Sequence, residues 1–441
     1  MVIQNFKNKK ILIVGLGLHG GGVGTANFFA GKKTKVIVTD LKTKDLLRPS
    51  LEKLKKFKNI KYVLGHHRAK DFLWADLIIK GPGVPNDSKY IKLAERNKIP
   101  IDTDVGIFFK ICPAPIIGIT GSKGKSTTAA LAAEMLKQKY KNVVLAGNIR
   151  KSVLDILPRI NKNSLVVLEL SSFQLEGLAR HKISPHIAII TNIFREHLNR
   201  YKNLREYASA KANIFKFQSD KDYLLINKND VYAKKMAKSA KSKIFFFEPS
   251  RGGVSNPTLP GEHNILNISA AEKVANLYGV PPHLREKAIR NFKGLEGRIQ
   301  FVAYIKGVKY YNDTTSTMPD AAIAAINSFL PKNKKKIILI AGGSDKKLDF
   351  RNLASAIRKN VRHAIFLPGD ATEKIKNRLR AKASYFETKS MREAVKKACS
   401  LARRGDIVIL SPGAASFAQF QHEFERGRVF VDEAKKLKSE I

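Results

Sequence analysis

At 441 residues, 44% of them hydrophobic, the chain is too long for one core and too apolar for a disordered polymer, so two or three globular domains are expected. Two cysteines, Cys112 and Cys399, exclude a disulfide framework, and no apolar run reaches the ~20 residues of a membrane span. The 81 basic against 37 acidic residues leave a net charge of +44, but the lysines are scattered (KNKK from Lys7, KLKKFK from Lys53, KNKKK from Lys332) rather than gathered in one arm. That dispersal fits a lysine-biased proteome, with some benefit for attracting anionic substrates, and argues against specific nucleic-acid binding.

The first predicted strand, Lys10–Val14, runs into GLGLHG, where Gly15, Gly17 and Gly20 fit G-x-G-x-x-G. A second strand, KVIVTD, ends on Asp40, at about the twenty-residue spacing of a dinucleotide fingerprint whose acid holds a ribose hydroxyl. The lysine-flanked apolar start could pass for a signal peptide, but glycines break it and it continues as strand, turn and helix. A further strand is expected over 72–80 (ADLIIK), followed by the turn GPGVP, and 99–115 reads as a connecting stretch. The segment is therefore expected to be a small Rossmann-like domain.

Residues 116–128, IIGITGSKGKSTT, read as a buried strand, a glycine-rich turn and the start of the helix TTAALAAEMLK. Gly121, Ser122, Lys123, Gly124, Lys125, Ser126 and Thr127 form a phosphate-binding loop of the short form G-x-x-G-K-S, with Ile119 where the longer form has its first glycine. The glycines let backbone N–H groups turn toward phosphate oxygens, and the helix N-terminus adds a favourable partial charge. Lys125 is placed to reach the terminal phosphates and Ser126 to touch Mg²⁺. Strands IIGIT, VVLA, SLVVLEL, HIAIITNI, DYLLIN and KIFFFE alternate with helices, which predicts a mostly parallel sheet with ligand groups at strand C-termini. One such terminus carries Glu169; another carries Asn192, followed by Arg195, Glu196, His197 and Arg200. Glu169, Ser126 and a triphosphate together would meet the oxygen preference of Mg²⁺. His197 taken alone reads as a structural histidine, and Lys211 as one lysine among many. After Arg298, KKIILIAGG, HAIFLPGD and DIVILSPGAASF predict a second Rossmann-like domain. The residues by themselves thus reach an ATP- and Mg²⁺-dependent enzyme with an additional nucleotide-like site near its N-terminus.

The motifs resemble, in order and through all three segments, those of the Mur ligase family. They are TGSKGKSTT, LELSSFQLE at 168–176, NIFREHLNRY at 192–201, GEHNILN at 261–267, GLEGR ending at Arg298, YNDTTST at 311–317, AGGSDK at 341–346 and LSPGAASFAQF at 410–420. The resemblance implies an α/β protein of three domains: a UDP-substrate-binding Rossmann-like domain over 1–103, a central P-loop ATPase domain with a parallel sheet over 104–298, and a Rossmann-like amino-acid-binding domain over 299–441. It implies an ATP-dependent acid–amino-acid ligase of peptidoglycan precursor synthesis that adds D-glutamate to UDP-N-acetylmuramoyl-L-alanine through an acyl phosphate. Such an enzyme would be cytoplasmic and monomeric, with no specific nucleic-acid partner and no membrane insertion. The alternatives are a sibling ligase that takes another amino acid, including L-glutamate, and a basic nucleic-acid-binding ATPase.

The same resemblance implies residue roles. Lys125, His197 and Lys211 would be catalytic, and the 121–127 loop, Asn264, Arg298 and Asp313 would hold ATP. Ser126 and Glu169 would ligate one Mg²⁺. His197 and Lys211, the latter as a carbamate, would serve a second. Leu18, His19 and Asp40 would meet the uridine diphosphate, Asn148 and Ser171 the muramoyl substrate, and Lys346, Ser416 and Phe420 the incoming amino acid. The chain departs from the family pattern at Lys123, where asparagine is frequent, at Glu196, where the acid is usually aspartate, and at Thr315, which stands in place of a lysine.

Overall fold

Strands covered on both faces need continuous apolar runs, and this chain supplies them at regular intervals. The computed structural model describes residues 6–18, 20–147, 152–194, 200–249, 256, 259, 261–330, 336–345, 348–379 and 383–439. Strands β1 (Lys10–Val14), β2 (Lys35–Asp40), β3 (Ile60–Leu64), β4 (Leu77–Lys80) and β5 (Ile101–Asp102) form an all-parallel sheet of order β3-β2-β1-β4-β5. Strands β6 (Ile116–Thr120), β7 (Val143–Gly147), β8 (Leu165–Glu169), β9 (Ile187–Ile190), β10 (Tyr223–Asn227) and β11 (Lys243–Phe247) form a second parallel sheet, β11-β10-β9-β6-β8-β7. The third sheet, β12-β13-β17-β14-β15-β16, joins β12 (Gln300–Ile305), β13 (Val308–Asn312), β14 (Ile337–Gly342), β15 (Val361–Leu367), β16 (Tyr385–Glu387) and β17 (Ile407–Leu410). Only the β12–β13 pair of this sheet is antiparallel, across a two-residue turn of Lys306 and Gly307, both at positive φ as a tight hairpin requires.

Two compact units result. Residues 1–252 and 266–288 carry the first two sheets, and residues 253–265 and 289–441 carry the third. In the first unit one apolar core runs from Ile11 and Ile13 of β1 through Val105 and Phe108 to Ile116 and Leu168 of the second sheet. In the second unit β14 sends Ile337, Leu339 and Ala341 to one face and Ile338 and Ile340 to the other, filling two cores at the two-residue period of a strand.

The strand expected over 72–80 is shorter, because Ala69–Trp74 is a helix and only Leu77–Lys80 is extended. Asp76 ends the intervening turn by accepting from the Lys10 amide at 2.9 Å. The stretch 99–115 is ordered as β5 and the helix Asp104–Ile111, which Thr103 caps by accepting from Gly106 N at 2.9 Å. Its Val105, Ile107 and Phe108 are buried, so this connection is part of the shared core. No helix among the described residues is long and apolar enough to cross a membrane.

Candidate functional site

The C-terminal edge of the second sheet builds the phosphate loop. Strand β6 is wholly buried, and the chain leaves it through Gly121 (φ +147°) to reach Gly124 (φ +82°), the N-cap of helix Lys125–Lys137. A side chain at Gly124 would adopt a disfavoured left-handed backbone and run into the Asn267 carboxamide. The neighbouring strand end braces the loop. Ser122 N donates to Asn192 O (2.9 Å) and Lys123 N to Asn192 Oδ1 (2.8 Å). In return, Asn192 Nδ2 and Thr191 Oγ1 donate to Lys123 O at 3.0 and 2.6 Å. Ser122 Oγ accepts from Phe194 N at 2.8 Å, which leaves Ser122 buried and Lys123 exposed.

Four predicted residues converge here. Lys125 folds back over the loop, its Nζ 2.9 Å from both Gly121 O and Ser122 O. Ser126 Oγ donates to the Glu169 carboxylate, and both side chains are buried. The pairing of Ile119 with Glu169 across β6 and β8 brings that acid beside the loop. Lys211, on helix Leu204–Ala212, is only 1% exposed; its Nζ donates to Gly121 O at 2.8 Å and lies 4.6 Å from the Tyr207 ring centre. Gly121 O therefore accepts from two ammonium groups. Thr127 is half-buried in the helix's first turn, and Thr128 Oγ1 reaches Asn267 Oδ1 at 3.2 Å. The Ser126 hydroxyl and Glu169 carboxylate are the hard oxygen donors that a small divalent cation takes. Ser171 caps helix Ser172–Ala179 in a reciprocal capping box with Gln174.

The glycine loop after β1 is built differently. Asp40 is buried, and its Oδ2 accepts from Leu16 N (2.9 Å) and Gly17 N (3.0 Å), while Oδ1 accepts from Lys42 N (2.9 Å). Its carboxylate thus holds the loop's own backbone. Leu18 at the loop tip is exposed.

The second unit carries Asn264, buried on helix Glu262–Leu277, together with Arg298, Asp313, Ser416 and Phe420. Asp313 accepts from Ser316 Oγ (2.5 Å), Ser411 Oγ (2.7 Å) and Ile299 N (3.1 Å), and burial pushes its pKa up to about 6. Arg298 is close enough to Asp313 to oppose that rise. Ser416 is buried and its carbonyl accepts from Phe420 N at 3.0 Å, while Phe420 packs against the core. His19, Asn148, His197 and Lys346 lie outside the described residues, as do Arg195 and Glu196.

Sequence reasoning passed over Thr191, Tyr207, Asn267 and Arg426. The last is 1% exposed and ties Thr314 O (3.0 Å) to Ala414 O (3.2 Å), with burial holding its pKa down to about 10. Asn192 had a legible signal, its place at a strand end. Arg426 had none in a chain with 81 basic residues.

Three family models match the chain: the N-terminal domain of MurD-like Mur ligases over 9–102, the Mur ligase middle domain over 119–253, and the glutamate ligase domain of Mur ligases over 297–413. UDP-N-acetylmuramoylalanine--D-glutamate ligase of Roseiflexus sp. (strain RS-1) is 38% identical, covering 96% of this chain and 97% of its own length. The protein of the same name from Borreliella burgdorferi (strain ATCC 35210) is 37% identical over 98% of both chains. Among solved structures, UDP-N-acetylmuramate-alanine ligase MurC from Thermotoga maritima aligns with a TM-score of 0.63 at 22% identity, over 97% of this chain and 100% of that one. MurF ligase from Thermotoga maritima in complex with ADP aligns with a TM-score of 0.60 at 16% identity, over 91% and 95%. At these identities the two structures share the fold.

Proposed function

The chain belongs to the Mur ligase family, and on that footing we propose that it is the ATP-dependent ligase that adds D-glutamate to UDP-N-acetylmuramoyl-L-alanine in peptidoglycan precursor synthesis. The observation that carries the proposal is the convergence of Lys125, Ser126, Glu169 and Lys211 on one short phosphate loop, in a chain matched from end to end by ligases of that name.

Condensing a carboxylate with an amine is uphill in water, so ATP supplies the driving force. In the proposed course the substrate carboxylate attacks the γ-phosphorus and the bond to ADP breaks, giving an acyl phosphate. The glutamate amine then adds to the carbonyl, the nitrogen loses a proton, and phosphate leaves with the C–O bonding pair. The protein's part is position and charge. Lys125 would exchange its two loop carbonyls for phosphate oxygens, so its ammonium would follow the charge of the transferring group. The loop amides would cradle the phosphates while Thr191 and Asn192 hold the loop in shape. Ser126 and Glu169 would hold a Mg²⁺, which when bound supplies charge neutralisation on the phosphoryl oxygens. An ammonium cannot ligate a cation; carbamoylation would make Lys211 an oxygen donor beside the same loop, where with His197 it would serve a second ion. Asn264, Arg298 and Asp313 are proposed for ATP, and Ser416, Phe420 and Lys346 for glutamate. A cytoplasmic monomer completes the proposal.

The test is phosphate release from ATP with Mg²⁺ and UDP-N-acetylmuramoyl-L-alanine, offering D-glutamate, L-glutamate and other amino acids separately. Release that needs both the muramoyl substrate and D-glutamate supports the proposal. Release with another amino acid moves the chain to a sibling activity. ATP turnover stimulated by polynucleotide, with none on the muramoyl substrate, overturns the ligase assignment.

A further inference from the structure

The first sheet buries a cation that none of the roles above uses. Its order, β3-β2-β1-β4-β5, changes direction between β1 and β4, and such a reversal opens a crevice at the carboxyl ends of those two strands. One wall is the glycine loop after β1; the other is the GPGV turn after β4. The walls touch. Gly81 N donates to Val14 O at 2.9 Å, a Cβ on Gly81 would meet Val14 O at 3.1 Å, and one on Gly15 would meet a Val84 methyl at 3.5 Å. Lys80, the register partner of Val14, ends β4 and is 5% exposed. Its Nζ donates to Val84 O at 2.8 Å, its one acceptor among the described residues.

Among the described residues, the charged groups facing Lys80 are Arg180, Arg200, Glu95 and Glu176. Both carboxylates are already engaged. Glu95 is paired with Arg180 at 2.9 Å, and Glu176 accepts from Tyr201 Oη at 2.7 Å and from Arg200 and Asn86 at 3.4 Å. Among the described residues three cations therefore meet two carboxylates, and the unmatched charge is the buried one. Burial, together with repulsion from the two arginines, lowers the Lys80 pKa to about 8. A buried ammonium without a counter-ion is costly unless something supplies one. Asp40, two strands away, does not, since its carboxylate is spent on the amides of Leu16, Gly17 and Lys42.

We propose that Lys80 binds an anionic oxygen group of the UDP-linked substrate, donating its two remaining N–H groups to a phosphoryl or carboxylate oxygen in the crevice between the β1 and β4 turns. The inference rests on the UDP-substrate reading made above. The bound anion would supply the missing counter-charge.

The test compares the wild type with Lys80→Met and Lys80→Arg by calorimetric binding and steady-state kinetics. Two ligands separate the anions: UDP-N-acetylmuramoyl-L-alanine, and UDP-N-acetylglucosamine, which has the diphosphate but no carboxylate. Lys80→Met is expected to raise Kd and KM for the muramoyl substrate about tenfold or more, with KM for ATP and glutamate unchanged and Lys80→Arg intermediate. Weakened binding of both ligands assigns a phosphoryl oxygen; weakening confined to the muramoyl ligand assigns a carboxylate. Unchanged Kd for both overturns the inference. A wild type that binds neither ligand overturns instead the reading on which the inference rests. Should Lys80→Met fail to fold, the wild-type pH profile decides. Affinity should fall as pH rises through about 8, where free Lys80 loses its proton, and a flat profile to pH 9.5 overturns the assignment.

Discussion

The two glycine loops of the first unit share a plan, strand then glycine turn then helix, and differ in how charge is placed around them. The loop after β6 draws cations: Lys125 and Lys211 both donate to Gly121 O, and its amides at 122 and 123 are shaped by the neutral Asn192. The loop after β1 is stitched by an acid, with Asp40 taking the amides of Leu16 and Gly17. A glycine turn therefore provides backbone curvature and little more. What the turn can bind is decided by the side chains that neighbouring strand ends bring to it. In one case that is two lysines on Gly121 O and a buried carboxylate on Ser126. In the other it is a loop whose amides are held by Asp40, with the buried Lys80 supplied by the neighbouring strand β4.

The largest expected effect tests the cationic loop. Lys125→Ala should lower ligase turnover by about 10²–10³-fold or more, while calorimetric binding of the UDP-linked substrate is retained. Unchanged turnover would remove Lys125 from the mechanism. Next comes Glu169→Gln, which keeps shape and removes charge beside Ser126. The Mg²⁺ concentration for half-maximal activity should rise about 10–100-fold, with KM for the UDP-linked substrate unmoved. An unchanged Mg²⁺ titration would make Glu169 a purely structural partner of Ser126.

Much of this contrast is legible in the amino-acid sequence. The phosphate loop is a local pattern, and Glu169 stands where an all-apolar strand ends in an acid. Asp40 was legible as a fingerprint acid but not as a loop clamp, because spacing does not say which way a carboxylate turns. Lys211 and Lys80 were hidden by composition: among 81 basic residues only burial distinguishes the few that matter. Phe72–Trp74, the last turn of the helix Ala69–Trp74, reads as strand because only Asp76 interrupts the apolar stretch from Phe72 to Ile79, and periodicity cannot divide so short a stretch. The β12–β13 hairpin does have a signal, the apolar-rich runs FVAYI and VKYY on either side of Lys306-Gly307.

Asp40→Ala sharpens the comparison from the other side. Loss of three backbone hydrogen bonds to a buried carboxylate should cost about 2–3 kcal/mol of stability and raise KM for the UDP-linked substrate about tenfold, leaving KM for ATP unchanged. A rise in KM without a fall in Tm would instead put Asp40 on the ligand. The smallest effect belongs to Ser50, whose Oγ donates to Gly17 O at 2.6 Å from the opposite side of the same loop. Ser50→Ala removes one neutral hydrogen bond, so about 0.5–1.5 kcal/mol and a KM change near twofold are expected, again confined to the UDP-linked substrate. Because Ser50 and Asp40 both act on Gly17, the double variant should lose less than the two single losses added together, since a loop already released by one change has less left to lose. Strict additivity in thermal melts would mean that the two contacts hold separate parts of the chain, and that the loop after β1 is not the single clamped unit contrasted here with the cationic loop after β6.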